Sequence, residues 1–232
     1  MGFSDSHHFR KTVAGFCMVM APLLALAAFI VSPAIKSDSA GQLGEVAANQ
    51  DRFLVSVLLS LAAVLLATGA TMGLMHMLRE RQVALGHVGG ALALIGLLAT
   101  MAQIGTQFAL WPMVQDGVQA ADVATWRAVT DDPATVIPLF IVPWAAVLGF
   151  ALLGLGLCRA HAVDSWMGAM VMLGALGITL AGPLASVTVG IVGAALFLVG
   201  LGSIGVVVLR ESDADWEHTP EHRGIRPAAG MG

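Results

Sequence analysis

The chain has 232 residues, 57% of them hydrophobic and 11% charged, with a formal net charge of −4 and a mean hydropathy of +0.84. A soluble domain carries about 25% charged residues, so this composition excludes a soluble globule and implies an integral membrane protein. No basic cluster is present, which removes the electrostatic footprint of a nucleic-acid partner; membrane lipids are the expected surroundings.

A helix needs about 20 apolar residues to cross the ~30 Å hydrocarbon layer. Six runs meet that length: residues 13–35, 53–78, 84–111, 134–158, 164–182 and 184–209. The expected fold is therefore all-α: a polytopic helical bundle of six transmembrane helices over residues 1–210, with a disordered tail over 211–232. The first run follows Arg10 and Lys11 as a signal peptide would, but its apolar core exceeds the ~7–15 residues of a signal sequence, and "SPAIKSDSAG" has no small-x-small cleavage site. It is read as the first span.

Lys and Arg are retained on the cytoplasmic side. Six spans put Arg10, Lys11, Arg79, Arg81, Arg159, Arg210, Arg223 and Arg226 on one side and only Lys36, Arg52 and Arg127 on the other. That asymmetry predicts a multi-pass protein of the inner (plasma) membrane with both termini cytoplasmic. The outer loops, 36–52 and 112–133, also hold Asp38, Glu45, Asp51, Asp116, Asp122, Asp131 and Asp132, so their three basic residues against seven acids leave a net −4. Cys17 and Cys158 both fall toward the inner side, where thiols stay reduced, so no structural disulfide is expected.

Helix boundaries carry chemical marks. Asp132 before Pro133 reads as an N-cap acid followed by proline at the first helical position; Asp51 and Asp164 are candidate caps for the second and fifth spans, and "AGPLAS" is a tight turn restarting the sixth at Pro183. In the second outer loop Val123, Trp126 and Val129 recur every third residue, which predicts a short helix lying on the outer surface. Small residues mark helix contacts in membranes. Gly69 and Gly73 on the second span, and Gly86 and Gly90 on the third, lie at matched depth and are expected to face each other across the "RER" turn. "GGALALIGLLAT" in the third span also resembles "MGAMVMLGALGIT" in the fifth, Gly90 and Gly96 being answered by Gly168 and Gly174.

Two places carry candidate chemistry. Toward the outer end of the third span, Thr100, Gln103 and Gln107 share one face; at 1.5 Å per residue Gln107 lies about 6 Å and Gln103 about 12 Å below Trp111. The fourth span enters from outside, so the same rise puts Trp144 roughly 15 Å deep, at the level of Gln103 and far below the usual tryptophan belt. Pro138 and Pro143 interrupt that span and deprive the carbonyls of Ala134 and Leu139 of their helical donors. Ser56 and Ser60 on the second span, with Ser186 and Thr188 on the sixth, lie in the same outer half. These residues describe an outward-facing polar pocket of Gln103, Gln107 and Trp144 with Thr100, Ser56 and Ser60 nearby; glutamines that hydrogen-bond a neighbouring helix are the plainer alternative, worth roughly 0.6–2 kcal/mol each.

The second place is inner: His76 and His87 flank the first cytoplasmic turn and form a candidate haem or metal pair. A zinc site wants three or four ligands, and His161, Cys17 and Cys158 supply no motif spacing; Met72, Met75 and Met77 read as apolar filling. No cofactor is expected. No Asp, Glu, Lys or Arg lies in the middle of any span, which argues against a proton-coupled pump or a carboxylate-dependent membrane enzyme.

The stretch from "FRKTVAGFCMVMAPLLALAAFIVSP" through "HMLRERQVALGHVGGALALIGLLA" resembles small six-span bacterial integral membrane proteins of unknown function. The resemblance covers about the first half of the chain and rests on hydropathy. It implies fold and localisation and transfers no functional residue.

The leading expectation is a non-enzymatic bundle that binds a small apolar or amphipathic ligand, or a partner membrane protein, through its outer half, with transport one form of this and a homo-oligomer one way to build a path. A membrane-embedded enzyme acting on a lipid or isoprenoid, using an outer acid such as Asp132 or Asp51, is the alternative. A b-type haem protein through His76 and His87 is the third.

Overall fold

The computed structural model describes residues 3–212 and Trp216. The molecule is 84% helix, with no strand among the described residues. The helices are α1 (Phe3–Val31), α2 (Ser39–Ala48), α3 (Gln50–Leu78), α4 (Val83–Met113), α5 (Ala120–Asp131), α6 (Pro133–Ala160), α7 (Ser165–Leu180) and α8 (Val187–Arg210). Five of them (α1, α3, α4, α6 and α8) are long and apolar enough to cross a membrane, while the apolar α7 is shorter at 16 residues.

The long helices and α7 form a closed ring. Each packs on the next in the order α1, α3, α4, α6, α7, α8, and α8 returns to α1. The centre is filled by Met18, Leu74, Leu153, Leu157, Val171, Leu201 and Ile204, all buried. Around the circumference Phe16, Leu58, Leu98, Leu148 and Val192 are exposed. Helices apolar on both faces belong in a nonpolar solvent, in line with a membrane protein.

Where lipid competes for apolar surface, helices gain by approaching closely, and here small residues set the contacts. A methyl group on Gly149 of α6 would lie 2.6 Å from the Cα of Ala93, and one on Gly96 of α4 would lie 2.7 Å from the Cα of Ala146, so these backbones touch. Gly177 meets Gly193 between α7 and α8 in the same way. The expected pairing of the two glycine stripes is not what forms. Gly69 and Gly73 face α1, against Cys17, Met18 and Ala14, whereas Gly86 and Gly90 do face α3 but meet the side chains of Leu78 and Met75. A methionine thioether, soft and unbranched, fits into the space a glycine leaves.

At one end α2 and α5 fold over α3 and α4. Leu43 and Val46 of α2, Phe53 and Val57 of α3, Ile104, Leu110 and Val114 near the end of α4, and Trp126 of α5 form a second buried cluster. The predicted loop helix around Trp126 therefore exists as α5, but its tryptophan is turned into the protein. Loop 36–52 holds α2, which the hydropathy reading leaves as coil; Asp38 caps it, accepting from the Gly41 N–H at 2.7 Å.

Among the other caps, Asp132 accepts from the Ala134 N–H at 2.8 Å with Pro133 following, as expected. Asp51 does not cap: α3 starts at Gln50 directly after α2, with Asn49 at the cap position and Asp51 already inside the first turn. Asp164 holds the N-cap position of α7 without a side-chain bond. The "AGPLAS" turn is tight, with Ala185 at φ 44°, but α8 restarts at Val187 and Ser186 supplies its cap. Proline 183 stays in the turn.

The opposite end gathers the basic turns. Arg81 donates to the Ala160 carbonyl at 3.2 Å, tying the α3–α4 turn to the end of α6. Lys11, only 5% exposed, donates to the Glu211 carbonyl at 2.8 Å. Trp216 is buried and stacks on His76, with centroids 4.7 Å apart. The tail expected over 211–232 otherwise lies outside the described residues.

Candidate functional site

The contacts at Gly96 and Gly149 fix the antiparallel register of α4 and α6. Gly96 is level with Ala146, and seven residues further along α4 and back along α6 bring Gln103 level with Leu139. On α4 the face that meets α6 is the stripe Gly89, Ala93, Gly96. Helical spacing continues that stripe through Thr100, Gln103 and Gln107. The lower part of the contact is thus flush and made of small residues, and the upper part is polar.

Opposite the polar part, α6 departs from α-helical geometry. Pro138 and Pro143 provide no N–H, and over Ile137–Ile141 the backbone widens into a π-turn, with Val142 donating to the Ile137 carbonyl at 3.0 Å. Leu139, level with Gln103, has lost its α-helical donor because that donor would be Pro143. The carbonyls of this π-turn face two amide side chains.

Neither amide uses them. Gln103 and Gln107 are half-buried, and among the described residues neither side chain makes a hydrogen bond. Thr100, by contrast, bonds the Gly96 carbonyl of its own helix at 2.8 Å. Ser56 is buried and donates to the Phe53 carbonyl at 2.9 Å, so its hydroxyl is engaged within α3, where the half-buried Ser60 also lies. Trp144 is not brought to the glutamines. It is two residues from Ala146, about 200° around the helix and so on the side of α6 away from α4, and about five residues deeper than Gln103. Depth alone had aligned the two; the register and the face separate them.

Reading polarity span by span misses one group on this side of the molecule. Trp111, eight residues beyond Gln103, has a buried indole N–H with no acceptor among the described residues. Its signal in the sequence is only the i, i+4, i+8 spacing from Gln103 and Gln107.

The acids at the α2–α5 end do not reach inward: Asp132 is exposed and spent on its cap, and Asp51 is exposed. At the opposite end the histidines have separate surroundings. The Nε2 of His76 lies 3.2 Å from the Trp216 carbonyl, and Nη1 of Arg79 sits against both ring nitrogens of the imidazole. His87 is exposed and contacts the Val83 carbonyl of its own turn at 2.8 Å through Nδ1. His161 is the C-cap of α6 in left-handed conformation, φ 50°. No group of three or more metal-ligating side chains occurs among the described residues.

The chain matches no protein-family model, no curated protein and no solved structure.

Proposed function

We propose that this is a six-span protein of the plasma membrane, with α7 as the sixth span and both termini cytoplasmic, that binds a small amphipathic ligand between α4 and the bent outer part of α6. The basic residues at the α1 start, the two short turns and the α8 end supply the orientation by the positive-inside rule. In that frame α2 and α5 form an extracytoplasmic cap, and Gln103 and Gln107 belong to the outer half of the bundle.

One observation carries the binding role: the two amides continue the α6-facing stripe of α4 yet bond nothing among the described residues. An amide without a partner in hydrocarbon costs several kcal/mol, and glutamines that serve as helix glue would be bonded to a neighbouring helix. The missing partner comes from outside the fold. Amides are poor proton donors and acceptors, so the site binds and orients and does not itself supply acid–base chemistry.

The test is native mass spectrometry with lipid analysis of gently purified protein, wild type against a Gln103→Leu, Gln107→Leu double variant. The expected result is a small-molecule species held by the wild type and lost from the variant. The same species retained by both, or a second protein chain as the only companion lost, overturns the proposal.

A further inference from the structure

The ligand proposed above can be narrowed by what its site lacks and by one donor that the fold leaves idle. This step rests on the α4–α6 site being a binding site. Trp111 packs against the cluster beneath α2 and α5, and its indole N–H is shut off from solvent with no acceptor among the described residues. An indole nitrogen donates and never accepts, and a buried donor left unpaired in a native fold calls for an explanation such as an unplaced partner. Gln103, Gln107 and Trp111 recur every fourth residue, so they form one ladder up the same side of α4.

Charge decides the rest. The whole of α4 contains no Lys, Arg, Asp or Glu, and α6 carries only Arg159, at its far end. A charged head group drawn between them would be desolvated without a counter-ion, which is unfavourable unless it is paired. At the cap end the basic groups are few: Lys36 pairs with Glu45 at 3.6 Å, Arg52 donates to the Val31 carbonyl at 3.2 Å, and Arg127 of α5 is exposed. Exposed Asp51, Asp116, Asp131 and Asp132 add negative charge at the entrance. An anionic head is disfavoured both on approach and in place.

We infer that the ligand is an uncharged lipid whose head carries hydroxyl or carbonyl oxygens, with one oxygen accepting from the Trp111 indole N–H and the others meeting the Gln107 and Gln103 amides. The acyl part then runs past the glutamines along the bent face of α6. A glyceride has this chemistry, with ester carbonyls and a hydroxyl at several depths and no charge.

Dioctanoylglycerol serves as the probe and dioctanoylphosphatidylglycerol as the anionic comparator, added to the full chain in detergent. The protein's five tryptophans give five indole N–H signals in a nitrogen-proton correlation spectrum, and Trp111→Phe identifies one by its loss while keeping the ring's bulk. The expected result is a downfield shift of that signal with dioctanoylglycerol but not with the anionic lipid, and binding about two- to tenfold weaker in Trp111→Phe, the range of one neutral hydrogen bond. An unmoved Trp111 signal under saturating dioctanoylglycerol, equal affinity of Trp111→Phe, or preference for the anionic lipid overturns the inference. If the glutamine double variant loses the probe while Trp111→Phe holds it fully, the site stands and only the head-group assignment falls. If the glutamine variant binds it as well as wild type does, the site itself falls.

Discussion

A lysine at 5% exposure is rare unless its ammonium is well held. Lys11 donates to the backbone carbonyl of Glu211 just past the end of α8, and Trp216 follows by stacking on His76, so the segment leaving this helix is pinned at two points to the end of the bundle that carries the basic turns. A hydrogen bond from a charged donor is worth about 1.5–3 kcal/mol, and truncating a buried tryptophan costs about 3–5 kcal/mol. Either is enough to change how often the segment opens. Lys11→Met, which keeps the bulk of the stem, and Trp216→Ala are both expected to speed protease removal of a C-terminal epitope by about tenfold or more, with helix content unchanged by circular dichroism. Equal rates in wild type and both variants would show that the pins bear no strain. In the sequence His76 reads as half of a candidate haem or metal pair with His87. Its partner Trp216 lies 140 residues away, and no local pattern joins the two.

At the level of helices, the decisive contacts are between backbones. Gly96 and Gly149 let α4 and α6 touch, and that contact sets the register placing Gln103 opposite the π-turn. Overpacking costs about 1–3 kcal/mol where side chains can yield, and here the opposing atoms are main chain. Gly149→Val is therefore expected to lower the melting temperature in detergent by several degrees and to weaken whatever the α4–α6 site holds, whereas Gly44→Val, with open space around it, should do neither. The faint likeness between the third and fifth spans finds a structural counterpart. Gly90 of α4 packs on the spanning helix before its own, α3, and Gly96 on the next one, α6, and Gly168 and Gly174 of α7 do the same, against α6 and α8. Local sequence also contained the signs of α2 that hydropathy passes over: Asp38 at the cap, then Leu43 and Val46 three apart. Which neighbour a glycine stripe serves is different in kind. Gly69 and Gly73 belong to α1 because the ring sets α3 between α1 and α4, and that arrangement is a property of all the helices at once.

For the molecule as a whole, hydropathy locates the apolar segments well because a segment bathed in lipid must be apolar along its length, whatever it packs against. Their boundaries differ from the expected ones by a few residues at most junctions, where caps and turns decide; at the start, α1 begins at Phe3 rather than near residue 13. Trp144 illustrates the limit of such reading: its depth follows from counting, but the face it occupies depends on the contact at Ala146. Sidedness is open to direct test with an impermeant maleimide on intact cells, in a Cys17→Ala, Cys158→Ser background. Asp116→Cys, in the exposed connection between α4 and α5, should label, and Glu80→Cys, in the turn between α3 and α4, should label only after the membrane is opened. The reverse pattern would invert the proposed topology.

The closed ring also bears on how the protein is made. A chain is delivered to the bilayer from its N-terminus, so α1 arrives first and finds α3 soon after. Its other flank, with Gly15 and Met18, is shaped to meet Gly205 and Leu209 near the end of α8. That flank must wait, facing lipid, until α8 has been synthesised. The seam between the first and last helices is thus the final joint to form, and the contacts of Lys11 and Trp216 at its inner end fasten it once it has closed.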